Sequence, residues 1–198
     1  MIETFRNSIL QIDKSNWTPV RFGDVVFEPK ENSKDPVADG IEHVVGLEHI
    51  DPEDIHLRKS AGLEESTTFT KKFRKGDVLF GKRRAYLKKA AIADFNGLCS
   101  SDILVLRANE DKILKELLPF YTSGDTVFEF AVSNAAGSLS PRTKWKDLSK
   151  FPIQLPDLRI QENILKVLSK LEETRLLCKN QSQTLKQLKQ KLLDEILG

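Results

Sequence analysis

Apolar residues first come in the short runs and alternations of strands, then at the three-to-four spacing of helices. Trp17 to Val26 opens the folded part, with Pro19 forcing an extended or turn conformation before it. Pro29 to Gly40 collects Pro, Asn, Ser, Asp and Gly and reads as a loop. Ile41 to Ile50, rich in Val and Ile, is a strand candidate, and a polar stretch follows it to Ser66. Gly76 to Arg84 alternates, with Val78 and Phe80 on one face and Asp77, Leu79 and Gly81 on the other. Lys89 to Ala93 and Ser101 to Leu106 read as further strands; Leu104, Val105 and Leu106 in a row point to a strand buried on both faces.

Ile113, Leu114, Leu117, Leu118 and Tyr121 fall at helical spacing. So do Val127, Phe128, Ala131 and Val132, after Gly124 and a candidate N-cap at Asp125. Ala135 to Lys146 is a loop of small and basic residues, and Phe151 to Leu155 a last short strand ended by Pro156. From a candidate N-cap at Asp157 onward, no Pro and no internal Gly interrupts one helix of about 40 residues. After Ile160, Ile164, Val167 and Leu168, its seam runs Leu171, Thr174, Cys178, Gln181, Leu185, Leu188, Leu192 in steps of 3 and 4, a heptad pattern. At 1.5 Å per residue such a helix extends roughly 60 Å. A domain of about 150 residues is roughly 35–40 Å across. The helix is therefore expected to overhang and to need a partner helix, the alternative being a helix that folds back on its own domain.

The expected fold class is α+β: a mixed domain over residues 1–157 with a small β-sheet and short helices, then a coiled-coil-forming helix over residues 158–198. With 39% hydrophobic and 30% charged residues, composition is that of an ordinary globular chain. No apolar run approaches 18 residues, and Met1 to Leu10 lacks the apolar core of a secretory signal. Two cysteines far apart, Cys99 and Cys178, imply no disulfide framework and fit a reducing cytoplasm.

The net charge of +2 hides a division. Gly23 to Ser66 holds twelve acidic and four basic residues; Lys71 to Lys89 holds nine basic residues and only Asp77 against them. Such asymmetry is expected of a polyanion binder, or of a solvated basic sheet edge. Catalytic patterns are weak by comparison. Asp102 with Glu110-Asp-Lys112, and Asp24 with Glu28-Pro-Lys30, have the two-carboxylate-and-lysine look of a Mg²⁺-dependent nuclease, but arise easily in a chain this charged. His43, His49 and His56 lack metal-ligand spacing, Ser100 and Ser101 lack a nucleophile elbow, and there is no glycine-rich phosphate loop or adenine-methyltransferase motif.

Three ordered blocks are more specific. The first is Phe73-Arg-Lys-Gly-Asp-Val-Leu-Phe-Gly-Lys-Arg-Arg-Ala-Tyr-Leu-Lys-Lys-Ala90, preceded by Gly46-Leu-Glu-His-Ile-Asp51. The second is Phe95-Asn-Gly-Leu-Cys-Ser-Ser-Asp-Ile-Leu-Val-Leu-Arg107. The third is Phe151-Pro-Ile-Gln-Leu-Pro-Asp-Leu-Arg-Ile-Gln-Glu-Asn-Ile164. Together with Trp17 and Gly23-Asp24-Val25, they resemble the target-recognition domain and spacer helix of Type I restriction–modification specificity subunits, over about residues 15 to 198.

The resemblance implies a non-catalytic, cytoplasmic, DNA-binding chain without a membrane span or a cofactor of its own. S-adenosylmethionine, ATP and Mg belong to partner subunits: adenine methyltransferases and ATP-driven translocating endonucleases. Usual members carry two recognition domains joined by two antiparallel helices; this chain has one of each. A homodimer through the helix, by Ile164, Leu171, Cys178, Gln181, Leu185, Leu188 and Leu192, would restore that layout and fix the gap of a palindromic target. For contact with double-stranded DNA the candidates are Lys82, Arg83, Arg84, Lys88 and Lys89 around Tyr86, with one arginine a guanine reader. The loop Gly137-Ser-Leu-Ser-Pro-Arg-Thr-Lys-Trp145 adds Ser138, Ser140, Arg142 and Lys144. Tyr86 as a core residue, the loop as a plain connection, and the whole chain as a nuclease or a helical protein adaptor are the alternatives.

Overall fold

Strands β5 (Val78–Gly81) and β8 (Ile103–Ala108) pair antiparallel, Phe80 opposite Leu104 and Leu79 opposite Val105, at the centre of the domain in the computed structural model. The structure describes residues 15–65 and 68–197; the signal reading at Met1 to Leu10 lies outside them. Strands β2 (Val26–Phe27) and β6 (Ala90–Ile92) complete a four-stranded sheet in the order β2-β8-β5-β6. Its side chains alternate between two cores. Val78, Phe80, Leu104 and Leu106 enter a cluster with Phe22, Val127, Phe128 and Ile153. Leu79, Ile103 and Val105 enter another with Val45, Ile50, Leu57 and Phe73. A strand buried on both faces reads as a continuous apolar run, which is what Leu104 to Leu106 shows.

Over the second cluster lies a three-stranded sheet of β3 (His43–Val45), β7 (Gly97–Cys99) and β4 (Lys71–Phe73), with β3 parallel and β4 antiparallel to β7. A third sheet pairs β1 (Thr18–Arg21) antiparallel with β9 (Pro152–Leu155), closing the domain's beginning on its end. The chain is thus α+β, with three sheets where one small sheet was expected.

The helices differ from expectation for local reasons. The Ile113 to Tyr121 pattern becomes helical only as α1 (Leu118–Thr122), because Pro119 has no N–H and fits only a first helical turn. Helix α2 (Asp125–Ser133) is capped at Gly124, not Asp125; the Asp125 carboxylate takes the Lys88 ammonium instead. Helix α3 (Trp145–Leu148) begins inside the expected loop. Of the strand expected over Ile41 to Ile50 only β3 forms, since the His49 ring accepts the Gly46 N–H at 2.9 Å and the chain turns there.

Two compact units divide at Leu158 and Arg159. The second is helix α4 (Leu158–Leu197), 40 residues without interruption. Gln161, Ile164 and Leu168 on its first turns are buried, and Leu171 is half-buried. Cys178, Gln181, Leu185, Leu188 and Leu192 are exposed. No helix among the described residues is long and apolar enough to cross a membrane.

Candidate nucleic-acid interface

The first cations of the basic stretch are paired with acids. Lys71 pairs with Glu28 at 3.1 Å, Lys72 with Asp39 at 3.0 Å and Arg74 with Glu31 at 3.0 Å. The acidic segment 23–66 therefore neutralises part of the basic one, and the division in charge is in large measure a structural tie. Asp77, buried, accepts from Arg107 Nε and Nη2, both at 2.7 Å, and Arg107 reaches on to Glu31 at 2.8 Å. The hydrogen bond from Arg107 holds the Glu31 carboxyl below its ordinary range.

Apart from Lys75, on the turn between β4 and β5, the remaining cations lie where two loops meet. Beyond β5 the chain enters Lys82 to Lys89, a tight turn with Ala85–Leu87 in 3-10 conformation. Arg84 and Lys88 flank it in left-handed backbone, φ 53° and 52°, which costs a side-chain-bearing residue energy and commonly accompanies function. The turn buries Ala85 and leaves Tyr86 55% exposed, so Tyr86 is not a core residue. The second loop, Ala136 to Arg142, is closed at its base by two backbone bonds between those residues, 3.1 and 2.9 Å, with Gly137 at φ 108° and Leu139 93% exposed. Arg84 N–H donates to the Pro141 carbonyl and Thr143 N–H to the Lys82 carbonyl, each at 3.0 Å, so the loops run side by side.

Asp102 joins them. Its Oδ2 accepts from Arg83 Nη1 at 3.2 Å and its Oδ1 from Arg142 Nε at 2.8 Å, while Arg83 Nε donates to Ser140 Oγ at 2.7 Å. Burial pushes the Asp102 carboxyl upward, but the bonds and charges of Arg142 and Arg83 together outweigh it and hold the group below its ordinary value. An ionised Asp102 fastened to two guanidiniums is a different object from a metal-ligating carboxylate. Of the nuclease-like pattern, Lys112 Nζ donates to the Asp24 carbonyl and Glu110 pairs with Lys115.

The ten expected DNA-contacting residues therefore fall into groups. Arg84, Tyr86, Ser138 and Lys144 are exposed, and their side chains make no hydrogen bond or ion pair with the described residues. Arg83, Ser140 and Arg142 form the Asp102 cluster. Lys88 is tied to Asp125 and Lys89 to the Leu47 carbonyl at 2.7 Å, which makes both struts of the domain as much as surface cations. Lys82 is partly buried; desolvation first, and then the Lys71 charge, lower its pKa. Asp102 went unnoticed in this role, although it is the only acid between Asp94 and Glu110.

The model of the Type I restriction modification DNA specificity domain family matches residues 14–187. The Type I restriction enzyme EcoDI specificity subunit of Escherichia coli is 29% identical over 177 residues, covering 86% of this chain and 38% of that protein. The HsdS subunit from Thermoanaerobacter tengcongensis superposes with a TM-score of 0.67 at 26% identity, over 85% of this chain and 45% of the other. A structure described under complex assembly and conformational transition of the type I R-M system superposes with a TM-score of 0.68 at 24% identity, over 85% of this chain and 45% of that one, a likeness of fold. The chain spans less than half the length of these relatives.

Proposed function

As the chain belongs to the Type I restriction modification DNA specificity domain family, we propose that it is a non-catalytic DNA reader that directs an adenine methyltransferase to one half of a split target. The observation that carries this reading beyond family membership is the placing of Arg84 and Tyr86 on one loop and Arg142 on another bonded beside it, with Lys144 two residues further on. Exposed cations with no internal partner are the ones free to neutralise phosphates. Directional forks such as a guanidinium can read base edges. Arg84 and Lys144 take the phosphate role, with Ser138 a further donor, and Tyr86 lies flat against sugar or base.

The chemistry lies in partner subunits: methyl transfer from S-adenosylmethionine in the methyltransferase, and ATP- and Mg-dependent cleavage in the translocating endonuclease. The chain meets a second copy of itself through the exposed α4 seam, antiparallel, so that two identical readers face a gapped palindrome.

Co-expression with the methyltransferase subunit of the same system in a methylation-free host, followed by genome-wide mapping of methyladenine, tests this. A gapped palindrome that vanishes when the chain is omitted is the expected result. An asymmetric gapped motif would reject the homodimer and keep the reading role. A methyltransferase that is active with another specificity subunit but yields no motif with this chain would reject the role itself.

A further inference from the structure

Arg142 is held at three points. Its backbone N–H and carbonyl both bond to Ala136, at 2.9 and 3.1 Å, and its side-chain Nε donates to Asp102 Oδ1 at 2.8 Å. Both terminal nitrogens, Nη1 and Nη2, bond to nothing among the described residues, and the side chain is exposed. A guanidinium has five donors in a rigid plane. Anchoring Nε restrains that plane and leaves both terminal nitrogens without a hydrogen-bond partner among the described residues, and such a two-pronged end matches O6 and N7 of guanine in the major groove.

Arg83 is presented differently. Its Nε is taken by Ser140 and its Nη1 by Asp102, so among the described residues Nη2 alone has no partner and no complete fork is left. Arg84 has a complete fork, but among the described residues no side-chain partner fixes its direction. Of the three arginines at this site, Arg142 alone combines a free fork with an anchored one, and preorganisation is what discriminates between bases.

Resting on the DNA-reading role above, we propose that Arg142 reads a guanine in each half-site, and that Asp102 is the positioning residue that aims it. The sequence had directed this expectation to the Lys82 to Lys89 block; the geometry moves it to the second loop. Asp102 does not touch DNA in this arrangement. It acts through the angle of the Arg142 plane, and through Arg83 it couples that plane to the neighbouring turn.

The test maps methyladenine with the wild-type chain and with Arg142→Lys, Arg142→Ala and Asp102→Asn, each co-expressed with the methyltransferase subunit. Thermal melting of each purified variant checks that it is folded. Arg142→Lys keeps charge and stem on an exposed residue, so it is expected to melt like the wild type. In all three variants one fixed G·C position of each half-site becomes degenerate, with discrimination falling roughly tenfold or more. Salt dependence should be unchanged in Arg142→Lys, because a phosphate contact would survive with the charge. Variants that melt normally and keep every fixed G·C position overturn the proposal, as does a wild-type motif with no fixed G·C, the reading role standing in both cases. A wild-type chain that directs no motif overturns the role and this inference with it.

Discussion

Cys99 and Cys178 are both free thiols, yet their surroundings make them chemically different. Cys99 is buried in β7, and burial pushes its thiol up to about 12, so almost no thiolate is present near neutrality. Cys178 lies exposed on α4. At about pH 8, iodoacetamide should therefore leave Cys99 unlabelled in the native chain and alkylate it only after denaturation, as read by peptide mass spectrometry. A Cys99 adduct on the native chain would contradict the packing of β7. The same scale marks a limit of what sequence discloses. Tyr86, Arg84 and the loop donors could be named from residue type and clustering alone. The role of the carboxylate that ties the two loops together could not, because Asp102 meets Arg142 only after a separation of 40 positions is closed by folding. Charge counting erred in the same way: Lys71, Lys72 and Arg74 count toward a basic footprint until their acids are found in space.

At the scale of elements, period was legible where a strand or helix was long enough to show one. Leu104 to Leu106 within β8 disclosed a strand buried on both faces, and the absence of Pro and internal Gly disclosed the uninterrupted run of α4. The three-residue strands β4 and β7 hold too few positions for alternation to register, and both were missed. What β7 carries instead is a packing requirement. A Cβ on Gly97 would stand 2.6 Å from the His43 carbonyl oxygen and 2.6 Å from the Phe73 ring. The same corner sets His43 against Phe95, with ring centres 4.3 Å apart and planes tilted by 44°. Neither the backbone oxygen nor the buried ring can yield without disturbing the three-stranded sheet. We expect Gly97→Ala to lower stability by about 1–3 kcal/mol, the usual range for overpacking a closed core. Urea denaturation checks it, and a variant of unchanged midpoint would mean the sheet is looser than its contacts imply.

At the scale of the whole molecule, the question is what covers α4. Leu185, Leu188 and Leu192 are 67%, 58% and 56% exposed and share the heptad seam with Cys178 and Gln181. Isolated helices gain most of their stability from packing an apolar face, so a long helix with an open leucine seam calls for a partner. In the proposed dimer a second copy of the chain supplies the same seam, and a two-fold axis perpendicular to the helices makes the pairing antiparallel, the arrangement that leaves one reader at each end. Exposed Thr174 and Gln181 in the seam weaken such a pairing but restrict its register. The proposed dimer predicts a mass in sedimentation velocity of twice the 22.5 kDa chain. Leu185→Glu places a carboxylate in the seam of both copies without altering the recognition domain, whose cores it does not enter. The variant should sediment as a monomer, melt its recognition domain as before, and lose methylation of the gapped target, because one half-site then stands alone. If Leu185→Glu remained dimeric, the seam would not be the interface. If the wild-type chain sedimented as a monomer at micromolar concentration, a different chain would have to supply the second reader.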